Sequence, residues 1–294
     1  MNALSFFSDV EPKILRKIER ENEIMNAKIR HCAIWSDGCE RSARFYEMIF
    51  GMRFFTSLGA AERDPTNRSR GQLSDGIIGL ALNPRPPGYR SGLDHFGFQL
   101  QDLGKVSDRI KQDYPNTIFT KGLEGVAFAG MRITDPVGTH IDIAQERGAN
   151  LRGGYRDEGW EQPRHLHHVA IRAKKPAVLA EFYQNVFELT TVKNLSGEGE
   201  ICLTDGKSYL LIRPCENYSY RSMTEGIDHI GFKVEDLEAV KKELDDLGRS
   251  FPESAPRKIF VGRNGATLQR DIDSCSLGHY AIADPEGVLI DLTT

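Results

Sequence analysis

The sequence predicts an α+β fold of two tandem modules. Each module consists of paired strand–helix–strand–strand–strand units that form a cupped, mostly antiparallel sheet around a metal site. Three observations carry this expectation. A set of four motifs occurs twice in one order, the same succession of helical and alternating periodicities follows each copy, and 294 residues suffice for two units of about 100–150 residues.

The first copy reads His31-Cys-Ala-Ile, Phe45-Tyr46-Glu-Met-Ile-Phe, Asp94-His95-Phe-Gly-Phe and Asp135-Pro136-Val-Gly138-Thr-His-Ile-Asp142. The second reads His168-Val-Ala-Ile, Phe182-Tyr183-Gln-Asn-Val-Phe, Asp228-His229-Ile-Gly-Phe and Asp284-Pro285-Glu-Gly287-Val-Leu-Ile-Asp291. The offset is 137 residues from His31 to His168 and 134 from His95 to His229.

Residues 9–27 place apolar side chains at helical spacing in a charged background, which predicts an amphipathic leader within 1–28. Module 1 is expected over 29–146. A strand at 29–36 precedes a helix at 40–50 closed by Gly51, and strands follow near 53–58, 70–75 and 77–83. Pro84-Arg-Pro86-Pro87-Gly88 interrupts the chain. The second unit opens with alternating residues at 94–100, continues as a helix at 103–113, and ends in strands near 117–120, 127–134 and 139–144. Residues 147–164 show no periodicity and read as a linker. Module 2, 165–294, repeats the order with strand 167–173, helix 176–188, strands to about 213, strand 227–234 and helix 236–247. His229 to Asp291 spans 62 residues against 47 from His95 to Asp142, so about 15 extra residues fall around 257–276, a polar stretch suited to a lid or a surface insertion.

Composition narrows the function. With 39% hydrophobic and 27% charged residues and a net charge of −4, the chain has material for a core and carries no basic stripe for nucleic acid or anionic membrane. A small molecule is the expected partner, and the leader helix and sheet edges are compatible with a homodimer. The five cysteines lack a Cys-x-x-Cys pair and read as buried free thiols in a reducing compartment. Residues 1–23 have no secretory apolar core and no run is long enough to span a bilayer, so a cytoplasmic location is expected.

Each copy carries two histidines and an aspartate at strand positions. Three such ligands from neighbouring strands of one curved sheet converge on one face of an octahedral ion and leave positions open for substrate. The candidate metal ligands are His31, His95 and Asp142 in module 1 and His168, His229 and Asp291 in module 2. Two imidazoles and one carboxylate suit Fe(II) best and also hold Mn(II), Zn(II) or Ni(II). The ion stays net positive and can chelate two neighbouring substrate oxygens.

These motifs, eight in order over 29–146 and 165–294, resemble those of the vicinal oxygen chelate superfamily, which includes glyoxalase I, extradiol ring-cleaving dioxygenases and drug-resistance proteins. The resemblance places the metal at the same six residues, with Asp where relatives more often have Glu. Two modules in one chain most resemble the extradiol dioxygenases, implying a metal-dependent oxygenase acting on a catechol or enediol-type molecule. That group has a further histidine on an intermediate strand and a tyrosine before the Asp-Pro-Gly turn; here no histidine lies between His31 and His95 or between His168 and His229, and the tyrosine positions hold Arg132 and Ala281. A redox-neutral glyoxalase-like isomerase or lyase is the alternative, although the glutamate usual on the fourth strand is absent from 78–82 and 209–212. A non-catalytic binding or resistance protein is the third reading.

His279 and His140, each two residues from a cup-facing position, are candidate proton shuttles, and Arg132 is a candidate partner for an anionic substrate. His165 and His167 fall on the face opposite His168 if the strand is regular. Whether one or both triads bind metal, and whether units pair within or across modules, stays open on the sequence.

Overall fold

A computed structural model describes residues 27–56, 68–122, 128, 130–146, 160–215, 224–257, 259 and 275–294. Residues 1–26 of the expected leader, 147–159 of the expected linker, and 258 and 260–274 of the expected insertion lie outside the described residues.

Module 1 comprises β1 (Lys28–Ser36), α1 (Cys39–Phe50), β2 (Arg53–Thr56), β3 (Gly71–Ser74), β4 (Gly79–Pro84), β5 (Gly92–Leu100), α2 (Leu103–Asp113), β6 (Phe119–Lys121), β7 (Met131–Thr134) and β8 (His140–Gln145). Module 2 comprises β9 (His165–Ala173), α3 (Pro176–Phe187), β10 (Thr190–Thr191), β11 (Ile201–Thr204), β12 (Tyr209–Pro214), β13 (Gly226–Lys233), α4 (Leu237–Ser250), β14 (Tyr280–Ala283) and β15 (Leu289–Thr293).

Each module forms its own sheet, in the orders β2-β3-β4-β1-β5-β8-β7-β6 and β10-β11-β12-β9-β13-β15-β14. Four pairs are parallel, namely β1 with β4, β5 with β8, β9 with β12 and β13 with β15, and the remainder are antiparallel. The α+β architecture of paired units is therefore observed, and the units pair within modules. His31, His95 and Asp142 lie on neighbouring strands of one sheet, and His168, His229 and Asp291 on neighbouring strands of the other.

Strand alternation divides each sheet. Cys32, Ile34, Phe96, Phe98, Ile141 and Ile143 point toward the helices, with Val169, Ile171, Ile230, Phe232, Ile290 and Leu292 as their module 2 counterparts, and all join one buried apolar cluster spanning both modules. The triads and their neighbours occupy the opposite faces.

The helices tie the modules together reciprocally. Phe50 of α1 stacks on Phe232 of module 2 at 3.8 Å, and Phe187 of α3 stacks on Phe98 of module 1 at 4.0 Å. The Tyr46 hydroxyl donates to Asp284 Oδ2 at 2.9 Å and that of Tyr183 to Asp135 Oδ2 at 2.7 Å. Each Phe-Tyr motif thus clamps the Asp-Pro-Gly turn of the other module. Ile29 N donates to Asp205 Oδ2 and Leu166 N to Asp75 Oδ2, at 2.7 and 2.8 Å. Helix α1 ends at Gly51 in the left-handed region, φ +66°, where glycine avoids a side-chain clash; α3 ends in the same conformation at Glu188, φ +57°, whose carboxylate accepts from Arg109. No described helix is long and apolar enough to cross a membrane.

Candidate metal centre

The histidines reach their positions through strands broken at matching places. Register shifts leave Arg30 in β1 and His167 in β9 as extra residues just before the first histidine, and Asp94 in β5 and Asp228 in β13 just before the second. A bulge interrupts alternation and turns the extra side chain. Asp94 and Asp228 therefore come round to their neighbouring imidazoles, with Asp94 Oδ2 2.6 Å from His95 Nδ1 and Asp228 Oδ2 2.7 Å from His229 Nδ1. A carboxylate on Nδ1 fixes the proton there and leaves Nε2 as a lone-pair donor. Arg172 Nε donates to Asp228 Oδ1 at 2.8 Å and completes that chain in module 2.

His167 departs from the regular-strand expectation for the same reason. It lies on the bulge, its Nδ1 is 3.2 Å from His168 Nδ1, and its ring packs on Tyr209 at 4.5 Å. It supports the orientation of His168, whose Nε2 points to the centre.

In module 2 the donor atoms converge. His168 Nε2 is 3.3 Å from His229 Nε2, and Asp291 Oδ2 is 3.8 Å from each. Two ligands on one first-row ion, each at about 2.0–2.2 Å, can be at most about 4.4 Å apart, so these separations suit a shared ion. All three residues are buried, and Asp291 Oδ2 has no hydrogen-bond partner among the described residues. Burial raises the Asp291 carboxyl above its ordinary range. Burial, then His229 and His167, hold His168 well below the usual histidine value, so it is neutral and ready to ligate. Two glycines make room. A Cβ at Gly231 would lie 1.9 Å from His168 Cε1, and one at Gly278 would lie 1.7 Å from Asp291 Oδ1. A buried carboxylate with one oxygen lacking a hydrogen-bond partner among the described residues, set beside two imidazoles and a thiol, fits a divalent cation.

Cys275 belongs to the same cluster: it is buried, and its Sγ is 3.8 Å from His229 Nε2. Sequence reading missed it because it has no counterpart in the repeated motifs.

Module 1 holds the same triad differently. Arg132 on β7 faces Asp142 on β8, donating from Nε to Oδ1 at 2.6 Å and from Nη2 to Oδ2 at 3.1 Å. The same Nη2 lies 3.1 and 3.2 Å from the two ring nitrogens of His95. The guanidinium is thus bonded to two of the three triad residues, whose donor atoms also lie within 4.8 Å of one another. Burial opposes the charges here, but His95 and Arg132 hold Asp142 well below the ordinary carboxylate range, while hydrogen bonds to Asp142 and Asp94 raise His95. His31 is stacked under Phe128 at 4.8 Å, and burial, then His95, lowers its pKa to about 3. The cluster neutralises itself through protein groups alone.

Of the remaining candidates, Arg132 sits in this cluster, paired with Asp142 and within 3.8 Å of Asp94. His140 is exposed at the start of β8, and His279 is exposed with Nδ1 3.2 Å from Thr294 Oγ1. Neither belongs to a ligand cluster among the described residues.

The family model described as Glyoxalase/Bleomycin resistance protein/Dioxygenase superfamily matches residues 28–143 and 165–292. A comparison with curated protein sequences found no match. Among solved structures, the Mn(II)-bound glyoxalase from Novosphingobium aromaticivorans shares 11% identity, covering 92% of this chain and 82% of its own, with a TM-score of 0.59. Homoprotocatechuate 2,3-dioxygenase from Brevibacterium fuscum, in complex with 3,4-dihydroxyphenylacetate, shares 12% identity over 91% and 80% at 0.57. The 2,3-dioxygenase LapB from Pseudomonas sp. KL28 shares 15% over 90% and 91% at 0.55. At these identities the likeness is one of fold.

Proposed function

Because the chain belongs to the glyoxalase/bleomycin resistance protein/dioxygenase superfamily, we propose that it is a metal-dependent enzyme with one working centre, formed by His168, His229 and Asp291. The finer reading is an extradiol-type oxygenase that opens a catechol or enediol-type small molecule. The buried Asp291 Oδ2, lacking a hydrogen-bond partner among the described residues and facing the Nε2 atoms of His168 and His229 at 3.8 Å, carries the proposal. Fe(II) is the ion best suited to a two-His, one-carboxylate face, with Mn(II), Zn(II) or Ni(II) able to replace it. Bound there, the ion would supply chelation of two neighbouring substrate oxygens and, as Fe(II), access to dioxygen.

The protein's own part is orientation and charge. Asp228 holds the Nδ1 proton of His229, Arg172 holds Asp228, and His167 braces His168, so both Nε2 atoms face inward before anything binds. Ala283 and Ala281 on β14 and Ala170 on β9 keep that face small in volume, and Ala170 lies in an apolar patch with Cys202, Leu211, Cys275 and Leu277 that excludes water from one side. In module 1, Arg132 and the partnered His95–Asp94 pair stabilise the fold without an ion. The candidate shuttles His140 and His279 lie at exposed positions, from which a proton would travel through solvent.

A redox-neutral isomerase or lyase is the second reading, favoured by Cys275, since a fourth donor leaves fewer open positions on the ion. Oxygen uptake distinguishes the two. Protein reconstituted anaerobically with Fe(II) should consume oxygen stoichiometrically with a ring-opened catechol product; substrate turnover without oxygen consumption would establish the second reading, and a ligand returned unchanged would refute both.

A further inference from the structure

We propose that the Cys275 thiolate is a fourth protein donor to the module 2 centre, making the resting ligand set two histidines, one aspartate and one cysteine. The inference rests on the metal reading above and deepens it. Nothing in the repeated motifs calls for a sulfur here.

Three observations converge on it. The donor atoms of His168, His229, Cys275 and Asp291 all lie within 4.8 Å of one another, and all four residues are buried. The thiol lies against the Asp291 carboxyl and hydrogen-bonds to it, which sets the sulfur and the carboxylate side by side facing the two imidazole nitrogens. The backbone around the cysteine is also held. Ser276 N donates to Glu200 Oε2 at 3.3 Å, Ser276 Oγ donates to Leu195 O at 3.1 Å, and Glu200 is paired with Arg213 at 2.7 Å. Gly278 N closes a turn onto Cys275 O at 3.4 Å, and the glycine leaves the space that Asp291 uses. The segment therefore presents sulfur to the centre, packed beside Ala170 of the strand that carries His168.

Sulfur at about 2.3 Å and nitrogen at about 2.1 Å from one ion accommodate the 3.8 Å between Cys275 Sγ and His229 Nε2. On coordination the S–H bond breaks, the proton passes to solvent and a sulfur lone pair forms the new bond; no electron is transferred. Two anionic and two neutral donors exactly balance a divalent charge, and the thiolate shifts preference toward softer ions such as Zn(II). Four donors on a six-coordinate ion leave two positions, the number a chelating substrate fills.

The test uses Co(II) as the probe, added anaerobically to the full chain, wild type and Cys275→Ser, with Cys202→Ser as a control in the same apolar patch. Absorption and elemental analysis are read together. The expected result is one Co(II) per chain in wild type with a near-UV thiolate-to-cobalt charge-transfer band. Cys202→Ser should keep the band. Cys275→Ser should keep binding through the triad, lose the band and bind at least about tenfold more weakly, as loss of a donor should exceed the effect of losing a supporting group. An unchanged spectrum and affinity in Cys275→Ser would overturn the sulfur ligand while leaving the triad intact. No binding in wild type, or binding that survives His229→Ala, would overturn the centre itself. Should Cys275→Ser fail to fold, iodoacetamide labelling of wild type decides: Co(II) must slow alkylation of Cys275, and equal labelling with and without the ion would refute the proposal.

Discussion

Modules 1 and 2 present the same His, His and Asp on equivalent strands, yet a single facing residue gives the two clusters different chemistry. The position opposite Asp142 is Arg132, and the position opposite Asp291 is Ala281. A guanidinium bonded through two nitrogens satisfies a buried carboxylate and leaves nothing for a cation to do. A methyl group offers the carboxylate no hydrogen bond, and its Oδ2 has none among the described residues. The ligand motif sets where an ion can be held; the residue across the strand pair sets whether one is needed.

The largest expected effect comes from carrying the module 1 solution into module 2. Ala281→Arg should place a guanidinium on Asp291 and weaken metal binding at least about 100-fold, on the scale of one buried charge pair, with circular dichroism unchanged. Metal binding at wild-type affinity in the folded variant would show that the facing residue is not decisive.

The converse change should open module 1. Arg132→Ala leaves Asp142 buried beside His95 without its cation, and because Arg132 is partly exposed the expected loss is about 1–3 kcal/mol rather than the full cost of a buried pair. Added Zn(II) should recover that loss and raise the metal content from one to two per chain. Denaturant unfolding with and without Zn(II), alongside elemental analysis, checks both parts.

A smaller effect is expected behind the ligands. Asp228→Asn removes the carboxylate that fixes the His229 tautomer and should lower metal affinity about 10- to 100-fold. Asp94→Asn, the same change in module 1, should leave metal content and affinity where they were. Isothermal titration of the two variants provides the comparison.

The two modules should respond alike only where they clamp each other. Burial raises the Asp284 carboxyl to about 6, against about 3.9 in an unfolded chain. The native state therefore binds more protons than the unfolded state between these values, and stability falls as pH rises through that window. The contribution is complete below about pH 4, falls by about 3 kcal/mol by pH 7, and is flat above. Tyr46 donates to the same carboxyl, so Tyr46→Phe should cost more above pH 6, where the acceptor is charged, by about 1–3 kcal/mol. Burial also raises Asp135, and Tyr183→Phe should follow the same sign. Thermal unfolding from pH 4 to 8 reads both, and opposite slopes would break the equivalence of the two clamps.

Much of this was legible in the residues because strand alternation has a fixed period. It set His168, His229 and Asp291 at strand positions that could converge, and the structure puts Ile230, Phe232, Ile290 and Leu292 on the opposite, helix-packed face. The same rule failed where the period failed. Asp94, His167 and Asp228 sit on bulges, which a period of two cannot foresee, so the residues that orient the imidazoles were assigned to the wrong face or passed over. Cys275 was hidden for a different reason, since it lies in a stretch with neither periodicity nor a partner copy. The contrast between Arg132 and Ala281 was visible as a difference, but its meaning depended on the pairing of β7 with β8 and β14 with β15.

The most direct test of a single working centre is metal content per chain, measured by elemental analysis on anaerobically purified wild type, His229→Ala and His95→Ala reconstituted with Fe(II). The account predicts one ion in wild type, none in His229→Ala and one in His95→Ala. Two ions in wild type, or loss of the ion in His95→Ala with its retention in His229→Ala, would contradict it.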